Sequence, residues 1–451
     1  MAFEITKELL ENIALYVENK NNNALIDVFK EMHHADIAEV LEEISFDEVV
    51  YIFKLLDSVT TSEILIELDE DIREKIFEQL SAKEIAEEVD ELDTDDAADI
   101  IGELSEERQE AVMSQIEDEE HVKEIEELLS YHENSAGGLM AKELVSVNEN
   151  WNVLKCVKEM RIQAEEVTRV HSIYVVNDAG QLKGRLSLKD LLVASTRTHI
   201  SEIYIPKVDA VHVDEQAEDV ANIMRKYDLE AIPVVDNNDV LVGRITIDDI
   251  VDVIKEEADK DYQMAAGLTQ DVEADDSIFQ LIKGRLPWLI LGLFGSLGAV
   301  VIMQNFQNLM ANPEYKALFF FTPLIAAVAG NVGVQSSAII VQGLANDIIK
   351  GSLWHRLIKE VSISLINSII LSIVIIIFSR ILGYSFSFSL AISISLITVI
   401  IIASLIGTFI PLILHKKGID PALATGPFIT TSNDIFGILI YFMIAKIILG
   451  I

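Results

Sequence analysis

The hydrophobic rhythm of the chain changes twice. Up to about residue 130, apolar positions return every three or four residues within short, polar stretches, the period of amphipathic helices. The phrases His34-Ala-Asp-Ile-Ala-Glu-Val-Leu-Glu-Glu-Ile44, Ala82-Lys-Glu-Ile-Ala-Glu-Glu-Val-Asp-Glu-Leu92 and Thr94-Asp-Asp-Ala-Ala-Asp-Ile-Ile-Gly-Glu-Leu104 repeat this design. Capping boxes are expected at Ser45…Glu48, Thr60…Glu63 and Ser81…Glu84. Stacked short helices of this kind predict an acidic α-helical superhelical domain over 1–134. From 139 to 260 strand-like runs take over, as in Ser172-Ile-Tyr-Val-Val176 and Ala231-Ile-Pro-Val-Val235, each followed by a turn, a second strand and a helix. Beyond 285 the apolar runs lengthen to about 286–306, 317–345, 360–383, 386–414 and 424–450. Each supplies the ~20 residues that span a bilayer.

The middle region is an internal repeat. Aligning 171–193 with 230–252 at an offset of 59 gives seven identities, among them Gly184/Gly243, Arg185/Arg244 and Asp190/Asp249. Two βαββα units, about 139–200 and 201–260, fill residues 135–260 and resemble a tandem CBS pair, a regulatory module that often binds nucleotides. Residues 261–284 read as a helical connector (a plug helix) leading into a five-helix transmembrane domain over 285–451.

Charge separates the same regions. Residues 1–276 hold 69 of the 74 Asp and Glu but 24 of the 34 Lys and Arg, a net charge of −45 within a chain total of −40. Such a field repels nucleic acid and anionic lipid heads and attracts cations. The single cysteine, Cys156, excludes an intrachain disulfide framework and fits a reducing compartment, and the first residues lack the pattern of a signal peptide. Lys283 and Arg285 precede the first span; Lys350, Arg356 and Lys359 separate the second and third; Lys416 and Lys417 separate the fourth and fifth. The opposite loops carry only Glu314, Lys316 and Arg380. The positive-inside rule therefore predicts a multi-pass protein of the cell membrane with a cytosolic N-terminal region and an external C-terminus.

Polar groups within the spans point to transport. Asp434 lies inside the last apolar stretch, where a carboxylate costs about 2.5–3.5 kcal/mol. Pro427, Thr430, Thr431, Asp434, Gly437 and Tyr441 recur at steps that place them on one helix face. Asn331, Gln335, Gln342 and Asn346 form a similar stripe in the second span. These stripes suit a water-lined path, with Asn331, Gln335, Thr430, Thr431 and Gly437 lining it. The competing reading is that the threonines bond their own backbone, Gly437 allows close packing and the amides join helices. One carboxylate among hydroxyls and amides is hard oxygen chemistry, and the spans hold no Cys, Met or His cluster for a softer metal. Mg²⁺ is typically held through one or two carboxylates with several waters retained, which fits a two-fold dimer presenting two Asp434 side chains.

These residues resemble the MgtE magnesium channels along nearly the whole chain. The resemblance rests on the acidic helical repeats, Ser135-Ala-Gly-Gly-Leu-Met140, the CBS pair, Arg285-Leu-Pro-Trp288, Gly330-Asn-Val-Gly-Val-Gln335, and Gly418-Ile-Asp-Pro-Ala422 leading to Thr430-Thr-Ser-Asn-Asp434. It implies a homodimer in the membrane with a pore lined by the second and fifth spans, Asp434 as its selectivity carboxylate and Asp420 as a Mg²⁺ ligand at its cytosolic mouth. It further implies a cytosolic Mg²⁺ sensor built from Asp93, Asp95, Asp96 and Asp99 of the helical domain with Glu218, Asp228, Asp249, Asp252, Glu257 and Asp261. ATP is an implied ligand of the CBS pair, near Lys189 and Asp190. The chain departs from the family pattern at Lys260, where a further acid is usual, and at Ala329, where a double glycine is usual. The expected function is passive, Mg²⁺-selective uptake through a non-enzymatic channel that cytosolic Mg²⁺ closes. The alternatives are an ion-coupled divalent-cation carrier and a membrane-anchored CBS sensor without transport.

Overall fold

The computed structural model describes residues 3–165, 167, 169–269, 272, 276–311, 313–345, 349, 352–424 and 426–450, with only the backbone of 311, 313, 314 and 424. They divide into two compact units, Met1–Ile254 and Lys255–Ile451.

The first unit begins with the expected stack of short helices: α1 (Lys7–Glu18), α2 (Asn22–Phe29), α3 (His34–Glu42), α4 (Phe46–Phe53), α5 (Ser58–Glu67), α6 (Glu70–Gln79), α7 (Ala82–Val89), α8 (Thr94–Glu103), α9 (Glu106–Met113) and α10 (Glu119–Leu128). Helices two apart pack together, α3 on α5, α5 on α7, α7 on α9 and α8 on α10, which generates the superhelical stack. Capping boxes form at Ser45 and Ser81 as the sequence predicts. The box expected at Thr60 does not form. Asp57 caps α5 instead, its carboxylate accepting from the Thr60 N–H at 3.1 Å, and Thr60 lies inside the helix. An Asp three residues upstream starts the helix earlier, so the orphan amide it satisfies is that of Thr60 itself.

Each CBS repeat is a βαββα unit. The first runs β1 (Val145–Asn148), α11 (Val153–Gln163), β2 (Ile173–Val176), β3 (Leu182–Leu186) and α12 (Leu188–Val193). The second runs β4 (Val211–His212), α13 (Ala217–Tyr227), β5 (Ala231–Val235), β6 (Leu241–Thr246) and α14 (Ile247–Ala266). In each sheet the first strand pairs parallel and the last antiparallel to a central β2 or β5, with Val145 opposite Ile173 and Val211 opposite Val234. The hairpin irregularities fall at Val175/Val176 and Val234/Val235, the same place in both repeats.

The two hairpin tips pair with each other. The Leu182 N–H donates to the Asp239 carbonyl at 2.9 Å, and the Leu241 N–H donates to the Gly180 carbonyl at 3.1 Å. Gln181 and Val240, separated by the repeat offset, sit opposite each other as an antiparallel bridge. Glycines at 184 and 243 let a further segment cross each sheet. A side chain at 184 would strike the Ile205 carbonyl, and one at 243 would strike Met140 and the Ala141 carbonyl. The core of the second repeat is continuous with that of the helical stack through Ala136 and Met140, while the first repeat keeps its own core around Val145, Cys156 and Ile173.

One boundary differs from the sequence reading. The last CBS helix and the connector are one helix, since α14 runs without a break from Ile247 to Ala266. The expected break at residue 260 has no glycine or proline to create it, and the first Gly is Gly267, with a left-handed φ of 87°. The described residues between Gly267 and Ser277 are not helical.

The second unit holds five long apolar helices: α15 (Ile278–Asn305), then, after the short α16 (Pro313–Lys316), α17 (Leu318–Ala345), α18 (Leu353–Ile381), α19 (Phe386–Lys416) and α20 (Gly426–Leu449). α17, α18 and α20 pack on α19, α17 also packs on α20, and α15 packs on α20. Hydroxyls join α18 to α19. Ser364 donates to Ser404 Oγ at 2.6 Å, Ser379 to Ser389 Oγ at 2.7 Å, and Ser372 to the Ser393 carbonyl at 3.2 Å. In lipid, where apolar burial gives little drive, such small polar contacts favour close association.

Candidate metal sites and ion path

The N-terminus of α8 organises the acidic cluster. Asp93 is its N-cap and Asp95 and Asp96 fill its first turn, where the helix dipole favours negative charge. Thr94 between them is fully buried and holds the long-range contact. Its N–H donates to Glu143 Oε1 at 3.0 Å, its hydroxyl donates to Glu143 Oε2 at 2.9 Å, and it accepts from the Lys142 N–H at 2.8 Å. Arg244, buried on β6, reaches Asp93 at 3.5 Å and also donates to the Glu143 carbonyl. Asp249 stands at the start of α14, with its Oδ2 accepting from the Thr246 N–H at 2.9 Å and the Thr246 hydroxyl at 2.8 Å.

These acids hold their protons unusually tightly. Desolvation, and then the charges of Asp249, Asp99 and Asp93, push Asp96 up to about 8. Desolvation, with Glu133 and Glu103 adding, pushes Asp99 up to about 7. Burial followed by Asp96 and Asp249 drives Asp95 well above the usual carboxylate range, and Glu143 and Asp249 are raised first by burial. One carboxylate oxygen each from Asp93, Asp95 and Glu143 lie within 4.8 Å of one another, as do ligand atoms of His121, Glu124 and Glu143. Crowded, buried oxygens form a hard-cation environment, and a divalent ion would offset both the desolvation and the repulsion that raise them.

The structure therefore brings together Asp93, Asp95, Asp96, Asp99 and Asp249. It adds Glu143, which the sequence reading missed because its partner Thr94 is 49 residues away. Glu218 occupies the first turn of α13, Asp228 ends that helix in a left-handed conformation, and Asp252 lies exposed on α14 one turn beyond Asp249. Glu257 accepts from Lys260 Nζ at 2.9 Å. That hydrogen bond raises the Lys260 amine, with the charges of Asp420 and Asp261 acting in the same direction. Asp420 Oδ1 accepts from the Ala422 N–H at 2.8 Å. Lys189 and Asp190 sit in the first turn of α12, with Lys189 exposed.

In the membrane unit, Asp434 is half-buried on α20. Its neighbour Asn433 is buried and donates to the Ala329 carbonyl of α17 at 3.3 Å. The Thr430 hydroxyl donates to the Gly426 carbonyl of its own helix at 3.0 Å. Thr431 packs against Gly295 of α15. Gly437 is buried against Ala329 and Val399, a packing position between α20, α17 and α19. Asn331 and Gln335 are exposed on successive turns of α17, and Gln342 continues the stripe; Asn346 lies outside the described residues. The lower end of α20 abuts the end of α14. A side chain at Gly426 would strike the Ala265 carbonyl, and one at Gly267 would strike Pro427.

The family models match this arrangement segment by segment. A divalent cation transporter model covers residues 322–444, an MgtE intracellular N domain model covers 32–134, and CBS domains cover 136–197 and 200–256. The chain is 36% identical over 319 residues to the magnesium transporter MgtE of Bacillus subtilis, covering 70% of each chain. It is 37% identical over 321 residues to the Enterococcus faecalis protein of the same name, covering 71% of this chain and 70% of that one. The chain belongs to the MgtE family of magnesium transporters. Solved structures agree with the MgtE assignment for the cytosolic part. One, the soluble part of a magnesium transporter, is 29% identical with a TM-score of 0.50, covering 56% of this chain and 99% of that one. Another, the cytosolic domain of the Mg²⁺ channel MgtE in complex with ATP, is 33% identical with a TM-score of 0.51, covering 54% of this chain and 100% of that one.

Proposed function

We propose that this MgtE-family chain is a Mg²⁺-selective channel that works as a homodimer and mediates passive uptake across the cell membrane. The observation that carries this reading is the open polar face of the membrane unit. Asp434 is only half-buried, and Asn331 and Gln335 are exposed near the middle of α17. Amides and a carboxylate facing lipid are costly, so this face calls for a water-filled path and a second copy to close it. Hydrated Mg²⁺ suits such a wall, because the ion keeps several waters and meets the carboxylate through them.

Cytosolic Mg²⁺ closes the channel. When it is scarce, the acids around Asp96 and Asp249 hold protons in part, and the charges that remain repel one another. Two like charges ~4 Å apart cost about 4 kcal/mol at an effective dielectric near 20. Mg²⁺ held by Asp93, Asp95, Asp96, Asp99, Asp249 and Glu143 removes that repulsion. Glu218, Asp228, Asp252, Glu257 and Asp261 extend the sensor toward the connector, and Asp420 binds Mg²⁺ at the pore mouth. Asp249 heads α14, and the far end of the same helix meets the start of the helix bearing Asp434. The C-terminus faces outside. ATP bound near Lys189 and Asp190 is a second input, supported by the ATP complex of the similar cytosolic domain.

The test is Mg²⁺ flux through purified protein in liposomes with no other ion gradient. Electrogenic uptake that falls as Mg²⁺ on the cytosolic side rises is the expected result. A strict requirement for a proton or sodium gradient would replace the channel with a carrier, and no flux under any gradient would leave a membrane-anchored sensor.

A further inference from the structure

Buried hydrogen bonds pin α20 to α17. The Tyr441 hydroxyl donates to the Leu318 carbonyl at 3.0 Å, and nearer the start of α20 the Asn433 amide donates to the Ala329 carbonyl at 3.3 Å. The Asn433 bond is made in a close-fitting seat. A side chain at Gly333, one turn beyond Ala329, would strike Asn433 Nδ2, so the glycine makes room for the amide. Asn433 is only 1% exposed. A backbone carbonyl can only accept, which puts Nδ2 against Ala329 and leaves Oδ1 buried, with no donor among the described residues. An unmatched buried acceptor costs stability that an apolar side chain of similar shape avoids. An amide kept at that cost points to a use beyond joining helices.

The next residue along α20 is Asp434. Successive residues of an α-helix leave it about 100° apart around the axis. Fixing Asn433 on the inner side of α20 therefore fixes the direction in which Asp434 leaves the helix. On α17, Ala329 and Gly333 form the buried seam, while Asn331 and Gln335, two residues on from each, are exposed. The bond thus locks both helices at the level of the polar face, from the side away from it.

We infer that Asn433 is a positioning residue for the ion path: it holds Asp434 in a fixed place beside the α17 wall and so sets the preference for Mg²⁺ over a larger divalent ion. This rests on the reading of Asp434 as the carboxylate of that path. Mg²⁺ demands near-ideal octahedral geometry and gives up its waters reluctantly, whereas Ca²⁺ accepts more oxygens in looser arrangements. A carboxylate held in one place discriminates between the two ions, and one free to drift favours Ca²⁺. Groups behind a metal-binding side chain tune it in this way without touching the ion.

The experiment measures Mg²⁺ uptake by the full chain in liposomes, and its inhibition by Ca²⁺. Each variant is described by one ratio, the Ca²⁺ concentration that halves uptake over the Mg²⁺ concentration that half-saturates it. In Asn433→Leu and Asn433→Ala this ratio is expected to fall about tenfold. Ser364→Ala removes a buried hydrogen bond between α18 and α19. It is expected to lower the thermal midpoint and to keep the wild-type ratio. A wild-type ratio in both Asn433 variants would overturn the inference. An equal fall in Ser364→Ala would do the same, because the ratio would then follow stability alone. Loss of all uptake in both Asn433 variants, or failure of both to elute at the wild-type volume, would assign Asn433 to the fold and also overturn it. Asp434→Ala separates this role from the reading beneath it. Undiminished flux there would withdraw the path itself, whereas abolished flux beside wild-type ratios in the Asn433 variants would withdraw only the role of Asn433.

Discussion

Asp434 and Asp96 are both carboxylates held partly out of water, in unlike surroundings. Burial first, and then the charges of Asp249, Asp99 and Asp93, push Asp96 up to about 8. Asp434 is the one acid in the sequence of α20, so in the proposed path it offers a single charge per protomer. Replacing Asp434 by Ala is expected to abolish Mg²⁺ flux in liposomes while the protein elutes as the wild type; undiminished flux would remove Asp434 from the path. A second residue-scale prediction concerns packing. A side chain at Gly407 on α19 would strike the Gly333 carbonyl of α17, and backbone cannot step aside as a side chain can. Gly407→Ala is expected to destabilise the membrane unit by about 1–3 kcal/mol, read as a lower thermal midpoint in detergent. Asp434 was legible in the sequence because a charge inside an apolar run needs no partner to be noticed. Glu143 was not, because nothing local to it marks the buried Thr94 it holds.

At the scale of elements, apolar length identified all five spans, and the strand-like runs identified both CBS hairpins. The ends were less legible. Asp57 rather than Thr60 caps α5, since two good caps three residues apart leave the choice to packing. The connector was expected as a separate helix, yet α14 carries the CBS fold into it without interruption. Lys260, on the connector portion, is the informative departure. It bonds Glu257 and feels Asp420 and Asp261, supplying from the chain a positive charge among acids that would otherwise call for a metal. Lys260→Met is expected to lower the cytosolic Mg²⁺ concentration needed for half-maximal closure, because Glu257 and Asp261 then meet the ion without a competing cation. An unshifted closing curve would show that Lys260 takes no part in gating.

At the scale of the whole molecule, charge links metal to protons. Asp96 and Asp99, raised to about 8 and about 7 from 3.8, bind protons in the folded unit that an unfolded chain has already released. Their contribution to stability is therefore full below about pH 4 and is lost as pH rises through 7 and 8. Without divalent ions, the thermal midpoint of the cytosolic unit is expected to fall between pH 6 and pH 8. Mg²⁺ binding near pH 7 is expected to release protons and to tighten as pH rises. Calorimetric titration of the full chain in buffers of different ionisation enthalpy measures this, and binding heats that do not vary with the buffer would contradict it.

The paired hairpin tips of the CBS repeats constrain how the chain can change length. Because Gln181 lies against Val240 and the hydrogen bonds on either side exchange between the tips, each turn is the template for the other. One residue inserted in a single tip would shift its register and turn its flanking side chains to the opposite face. A matched insertion in both tips would keep the pairing. Duplication thus left the two turns tied in length: a loop on the protein surface, ordinarily the freest part of a chain to grow, can lengthen here only in pairs.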